Sequence, residues 1–186
     1  MKKELEEKLC EDFPLLFGDR YGSPQNTCMC FGFSCDDGWE PIIRELAQKL
    51  EPLIQKFINK NFDKLQCQWC NINKLNHDKG WSIEQDDGTV KHYLCHGSNG
   101  YEAAYPRASQ VKEKFAELHF YMTMATTEMY DLIYKFEKKS KYICEQCGLN
   151  GQICSTSADG SYGWLKTLCL KCATENNKYF PIKSKK

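Results

Sequence analysis

The chain has 186 residues, with 25 Lys plus Arg balanced by 25 Asp plus Glu, a formal net charge of zero and 13% aromatic residues. This length suits one domain with a real core or two small ones, and the balance excludes the global positive field of a general DNA or RNA binder. No run approaches the roughly 18 apolar residues that a membrane span needs.

The first residues, MKKELEEKLCEDFP, alternate charge and lack the apolar centre of a secretory leader. The expected setting is therefore a reducing cytosol, where the twelve cysteines point to metal rather than to disulfides. Residues 2–12 read as a short amphipathic helix carrying Leu5 and Leu9, ended by Phe13-Pro14. "TCMCFGFSCDDGW" reads as a strand followed by a turn, with a carboxylate of Asp36 or Asp37 available to cap the next helix.

That helix has the clearest pattern: Ile42, Ile43, Leu46, Leu50, Leu53, Ile54, Phe57 and Ile58 recur at three- and four-residue spacing. Pro41 fits its first turn, and Pro52 is expected to kink or split it. Residues 63–100 read as a polar insertion with its own Cys and His residues. "HFYM" (His119–Met122) reads as a strand, with "SQVKEKF" just before it as a possible partner. Thr126 or Thr127 then starts a second helix to about Lys139, whose inner stripe is Met129, Ile133 and Phe136. A cysteine-rich segment and a basic tail, PIKSKK, close the chain.

The strongest chemical signal is Cys144-x-x-Cys147 with Cys169-x-x-Cys172. A two-residue gap lets both sulfurs of a pair turn to one point, and two such knuckles give the tetrahedral S₄ set that Zn²⁺ accepts. Gly148 permits the positive φ that such a turn requires. Lys166 and Lys171 can offset the negative charge of a zinc tetrathiolate. Two local disulfides and a redox C-x-x-C are the rival readings; the redox one lacks the βαβ setting of thioredoxin-like motifs. A saturated S₄ site has no open position, so it builds structure, and its binding free energy of about 10–16 kcal/mol can fold a loop with little core.

A second Zn²⁺ is expected in the insertion. Cys67 and Cys70 form one half, and His92 with Cys95 has knuckle spacing for the other. Cys95 with His96 is a tighter alternative, and His77 is a further candidate. Trp69 and Trp81 can form an apolar pad beneath such a module. Cys28, Cys30 and Cys35, with Cys10 the only fourth thiol in prospect, are expected to pack as small hydrophobes, and Cys154 likewise.

Catalytic readings find little support. An HNH-type nuclease needs a histidine between and after the knuckles, yet none lies between Cys147 and Cys169, and Ala173 follows Cys172. Phosphate-loop, dinucleotide and H-E-x-x-H motifs are missing too. A Cys28–Cys35 nucleophile with His119 lacks a local motif, so no catalytic residue is assigned and a non-enzyme is expected. Nucleic-acid binding has one footprint, "KFEKKSKY", which places Lys135, Lys138, Lys139 and Lys141 beside Tyr142. Lysines at a helix end also simply suit the dipole there.

Four stretches resemble an uncharacterised family of proteins encoded by bacteriophages and prophages: "FPLLFGDR" (Phe13–Arg20), "CMCFGFSCDDGW" (Cys28–Trp39), "ASQVKEKFAELHFYM" (Ala108–Met122) and "CEQCG…GWLKTLCLKC" (Cys144–Cys172). Members of that family often show "FGGLRFY" where this chain has "FAELHFY". The resemblance implies a small zinc-binding protein at work in a bacterial host cytoplasm. It implies action by stoichiometric binding to a host protein, in host takeover or counter-defence such as inhibition of a CRISPR nuclease. A nucleic-acid-binding regulator is the alternative.

The expected fold is α+β. Residues 1–62 and 101–142 supply the helix-and-strand core, residues 63–100 a zinc-binding insertion, and residues 143–186 a C-terminal zinc ribbon with a basic tail.

Overall fold

The computed structural model describes residues 1–25, 27–61, 81–84, 90–93, 105–158, 163–175 and 178–182; at 61, 81–84 and 90–93 it describes the backbone alone. It is a mixed α+β structure. Helix α1 spans Lys3–Asp12, strand β1 Phe33–Ser34, helix α2 Glu40–Asn61, and strands β2 and β3 Trp81–Glu84 and Val90–Tyr93. Strands β4 (Ala108–Lys114) and β5 (Glu117–Met122) form a hairpin, followed by helix α3 (Thr127–Ser140). The tail holds β6 (Gln152–Ser155), β7 (Leu165–Leu168), a short helix α4 (Leu170–Glu175) and β8 (Phe180–Pro181). Two three-stranded sheets, ordered β1-β4-β5 and β7-β6-β8, accompany the antiparallel β2-β3 pair.

The apolar stripe of α2 organises the main core. Ile42, Ile43, Leu46, Leu50, Ile54 and Ile58 are all buried, while Leu53 and Phe57 are partly so. Against them pack Phe13, Leu15, Leu16 and Phe17, the inner face of the hairpin (Ala108, Val111, Leu118, Phe120), and Met129, Ile133 and Phe136 of α3. Helix α2 runs unbroken through Pro52, where the sequence predicted a kink or split. Both Pro52 and Gln48, whose carbonyl loses its partner, lie on the exposed side, where water can take the missing hydrogen bond. Thr126 caps α3 by accepting the Met129 N–H at 3.3 Å.

The sequence suggested that an Asp36 or Asp37 carboxylate caps α2, and neither does so. A 3₁₀ turn, Asp37–Trp39, precedes that helix with no side-chain cap, and Asp37 Oδ1 accepts the Lys2 N–H at 2.7 Å.

Both edges of the β1-β4-β5 sheet are covered. On the β1 side, buried Glu6 of α1 accepts the Phe33 N–H at 2.9 Å, and the Met1 amino group donates to the Phe33 carbonyl at 3.4 Å. On the β5 side, α3 supplies Ser140 Oγ to the Leu118 N–H and Glu137 Oε1 to the Phe120 N–H, each at 2.9 Å. Side chains here take the place of further strands.

The tail has its own small cluster of buried residues, Cys144, Cys154, Leu168, Cys172 and Ala173. Three of these five are cysteines, so the apolar burial is far too small to order so many residues by itself.

Candidate metal centre

Cys144 follows α3 after the short Lys141–Ile143 link, and its segment turns back at once. The Cys144 N–H donates to the Leu149 carbonyl at 2.6 Å, and the Gly148 N–H donates to the Cys144 carbonyl at 2.8 Å. Gly148 has φ +78°, the left-handed conformation expected of it. On the other side β7 ends at Leu168, and Cys169 leads into α4, which carries Cys172. The Cys172 N–H points at the Cys169 sulfur at 3.4 Å.

The result brings together all four expected tail ligands. The sulfurs of Cys144, Cys147, Cys169 and Cys172 lie within 4.8 Å of one another, with Cys147 and Cys169 at 3.7 Å. A tetrahedral Zn–S bond of about 2.3 Å implies an S···S edge of about 3.8 Å, so the set is close to the size a metal ion requires. Cys144 and Cys172 are buried, Cys169 is half-buried and Cys147 exposed, which leaves the cluster at the surface on one side. The Cys172 N–H, above all, lowers the Cys169 thiol to a pKa of about 7, so a thiolate is accessible there near neutral pH. Among the described residues this is the one group of three or more metal-ligating side chains.

The first knuckle is docked on the core by backbone. Gly38 lies so close that a Cβ there would collide with the Cys144 carbonyl and the Gly148 nitrogen, and would come within 2.6 Å of the Cys147 nitrogen. Its N–H donates to the Glu145 carbonyl at 2.7 Å, while buried Trp39 donates from Nε1 to the Ile143 carbonyl at 2.8 Å. Glu145 is 1% exposed, and its Oε1 accepts the Asp36 N–H at 3.1 Å. Burial pushes its carboxyl up to about 7 against the opposing pull of Lys166. Lys166 Nζ bridges Asp36 at 2.6 Å and Glu145 at 3.3 Å, and Lys171 pairs with Glu175 at 3.9 Å, so carboxylates hold both lysines that the sequence assigned to the cluster. The single clue in the sequence to this docking seam was the glycine in Asp-Asp-Gly-Trp, which reads as an ordinary turn.

The remaining ligand candidates fall elsewhere. Cys67, Cys70, His77, Cys95 and His96 lie outside the described residues. The backbone of His92 pairs with Ser82 across the β2-β3 ladder. Cys10 and Cys35 are buried and pushed up to about 12, chiefly by burial, which keeps them as thiols and fits the packing role. Cys28 is exposed and Cys30 half-buried, so neither is a core residue as expected. His119 lies on the outer face of the sheet, stacked on Tyr121 at 6.0 Å between ring centroids.

No protein-family model, curated protein or solved structure matches the chain. The fold and the cluster define an α+β protein bearing a four-cysteine group that could hold a metal ion. Among the described residues no helix is long and apolar enough to cross a membrane.

Proposed function

We propose that this chain is a zinc-organised docking protein that acts by stoichiometric binding rather than by turnover. The observation that carries the reading is the convergence of four sulfurs within 4.8 Å in a tail with almost no apolar core. One Zn²⁺ held by Cys144, Cys147, Cys169 and Cys172 saturates its four positions and supplies the folding free energy that the tail lacks. A closed set of this kind fixes geometry and leaves no site for a reacting water.

The fixed tail presents apolar side chains to solvent, among them Leu149, Trp164 and Leu170, exposed at 63, 81 and 64%. An apolar protein contact would bury such groups. The resemblance to phage-encoded proteins makes a protein of the bacterial host cytoplasm the expected partner, with counter-defence as the expected setting. A second Zn²⁺ in residues 63–100, held by Cys67, Cys70, His92 and Cys95, belongs to the same proposal.

The lysine stretch in α3 supports the nucleic-acid alternative weakly. Lys138 and Lys141 both grip Glu117, at 2.6 and 2.8 Å, and Lys139 pairs with Glu45 at 2.6 Å. Elemental analysis of protein prepared under reducing conditions tests the core of the reading. At least one equivalent of zinc, and a melting transition lowered by chelation, are expected; less than one equivalent with an unmoved transition would refute it. For the docking step, a captured host protein should rebind at one-to-one stoichiometry and be lost with Leu170→Asp or Trp164→Asp.

A further inference from the structure

The β4-β5 hairpin ends in a turn that its sequence should disfavour. Lys114 pairs with Glu117, so the loop is the dipeptide Phe115-Ala116, and both residues have positive φ, +55° and +60°. Two-residue turns with both central φ positive normally use Asn-Gly, because a Cβ in the left-handed region costs about 1–2 kcal/mol per residue. The turn is held from the tail and from β4: Ala116 is buried, its carbonyl accepts the Thr167 hydroxyl at 2.7 Å, and its N–H donates to Glu113 of β4 at 2.7 Å. The strain therefore persists around a phenylalanine that contributes nothing to the core and is 71% exposed.

The outer face of the hairpin continues the same chemistry. Lys112 and His119 are cross-strand partners, as are Gln110 and Tyr121. Tyr121 is 40% exposed, its ring stacked on His119, with Lys112 Nζ at 5.3 Å from the ring centre. Lys114 Nζ stands 5.2 Å from the Phe115 ring. The neighbouring acids are turned to other work: Glu113 caps the turn, and Glu117 carries Lys138 and Lys141. What faces solvent is a cationic surface with aromatic rings and one amide. With both sheet edges already covered, a ligand reaches this sheet through its face.

We propose that this face binds single-stranded nucleic acid. Bases stack on Phe115 and on Tyr121 with His119, while phosphates take Lys112 and Lys114 from the rings they now cover. Charge complementarity selects an anionic partner, and the rings select one that offers unpaired aromatic faces; a duplex keeps its bases inside its own stack. This surface is separate from the apolar residues of the tail, so it goes beyond the docking reading, and either can fail without the other.

The test uses the full zinc-loaded chain and fluorescence anisotropy with labelled oligo-dT, oligo-rU and a duplex of equal length. Single strands are expected to bind, and the duplex far more weakly. Tyr121→Ala should weaken single-strand binding about tenfold. Phe115→Asn should do the same while leaving the melting temperature unchanged or higher, since Asn tolerates the left-handed turn, so loss of binding cannot be ascribed to unfolding. The double change Lys112→Ala, Lys114→Ala should make the slope of log K against log salt shallower by about 1.4. Four results would each overturn the proposal: no binding at low salt, duplex binding as tight as single-strand binding, indifference to Phe115→Asn and Tyr121→Ala, or equal competition by polyglutamate. The last would assign the face to an acidic polypeptide instead.

Discussion

Replacing Gly38 by alanine tests whether the cysteine module is part of the fold or merely attached to it. The added Cβ would collide with the Cys144 carbonyl and the Gly148 nitrogen, both backbone atoms of the first knuckle, so no side chain can swing aside to accept it. The knuckle must withdraw. Withdrawal breaks the Gly38 N–H to Glu145 carbonyl bond at 2.7 Å, the Trp39 Nε1–H to Ile143 bond at 2.8 Å, and the Asp36 N–H to Glu145 Oε1 bond at 3.1 Å. At about 1 kcal/mol each, these three amount to a loss of about 3 kcal/mol, and the orphaned Trp39 N–H inside the core can raise it further. Urea unfolding measures this directly. The affinity of the proposed site for added Zn²⁺, read by competition with a chromophoric chelator, should change much less, because the four sulfurs belong to the module itself. A Gly38→Ala protein that unfolds within about 0.5 kcal/mol of the parent would refute the docking geometry, since that is the range of an ordinary surface substitution.

On the proposed zinc reading, Cys169→Ser should leave α2 and the hairpin folded and cost the tail several kcal/mol, on the order expected when a structural metal site is lost. Hydrogen exchange would show it as protection lost in β6 and β7 while α2 keeps its own. For Glu117, burial opposes the charge, but hydrogen bonds from Lys138 and Lys141 outweigh it and hold the carboxyl below its ordinary value of 4.5. Its contribution to stability is therefore complete above the ordinary carboxylate range and is lost as pH falls through the lowered value. The stability difference between the parent and Glu117→Gln should be constant near neutrality and shrink below about pH 4.5, while thiol protonation, common to both, cancels; a difference that grew on acidification would contradict the pairing. Gly32→Ala should cost about 2 kcal/mol in thermal or urea unfolding. Its φ is +80°, and the new methyl would strike the Glu6 carboxylate that holds the Phe33 N–H.

The sequence made the local periodic features legible. The α2 stripe, the inner face of α3 and its Thr126 cap are local patterns that any tertiary setting would preserve. The tail cysteines were legible for the same reason, since a two-residue gap dictates how two sulfurs converge. What escaped the reading depends on partners distant along the chain. Glu6 looks like one more acid on a charged helix, yet it is buried because Phe33 and Arg20 meet it there. Asp19 pairs with Arg107 at 2.8 Å in the interior, across a separation that no local pattern spans. Lys166 turns from the thiolates to Asp36 and Glu145 because those carboxylates are brought to it by the Gly38 seam. The left-handed Phe115-Ala116 turn violates residue preference altogether, and only Thr167 and Glu113, acting together, explain how it is held.

The way helices α1 and α3 close off the β1-β4-β5 sheet has a consequence for self-association. An extended peptide meets the Phe33, Leu118 and Phe120 N–H groups already engaged by side chains, so pairing onto these margins of the sheet is hindered. That protection is borne by a few carboxylates and one hydroxyl rather than by more β-structure. Removing Glu6 or Glu137 would therefore uncover adhesive margins while the strands themselves stayed in place.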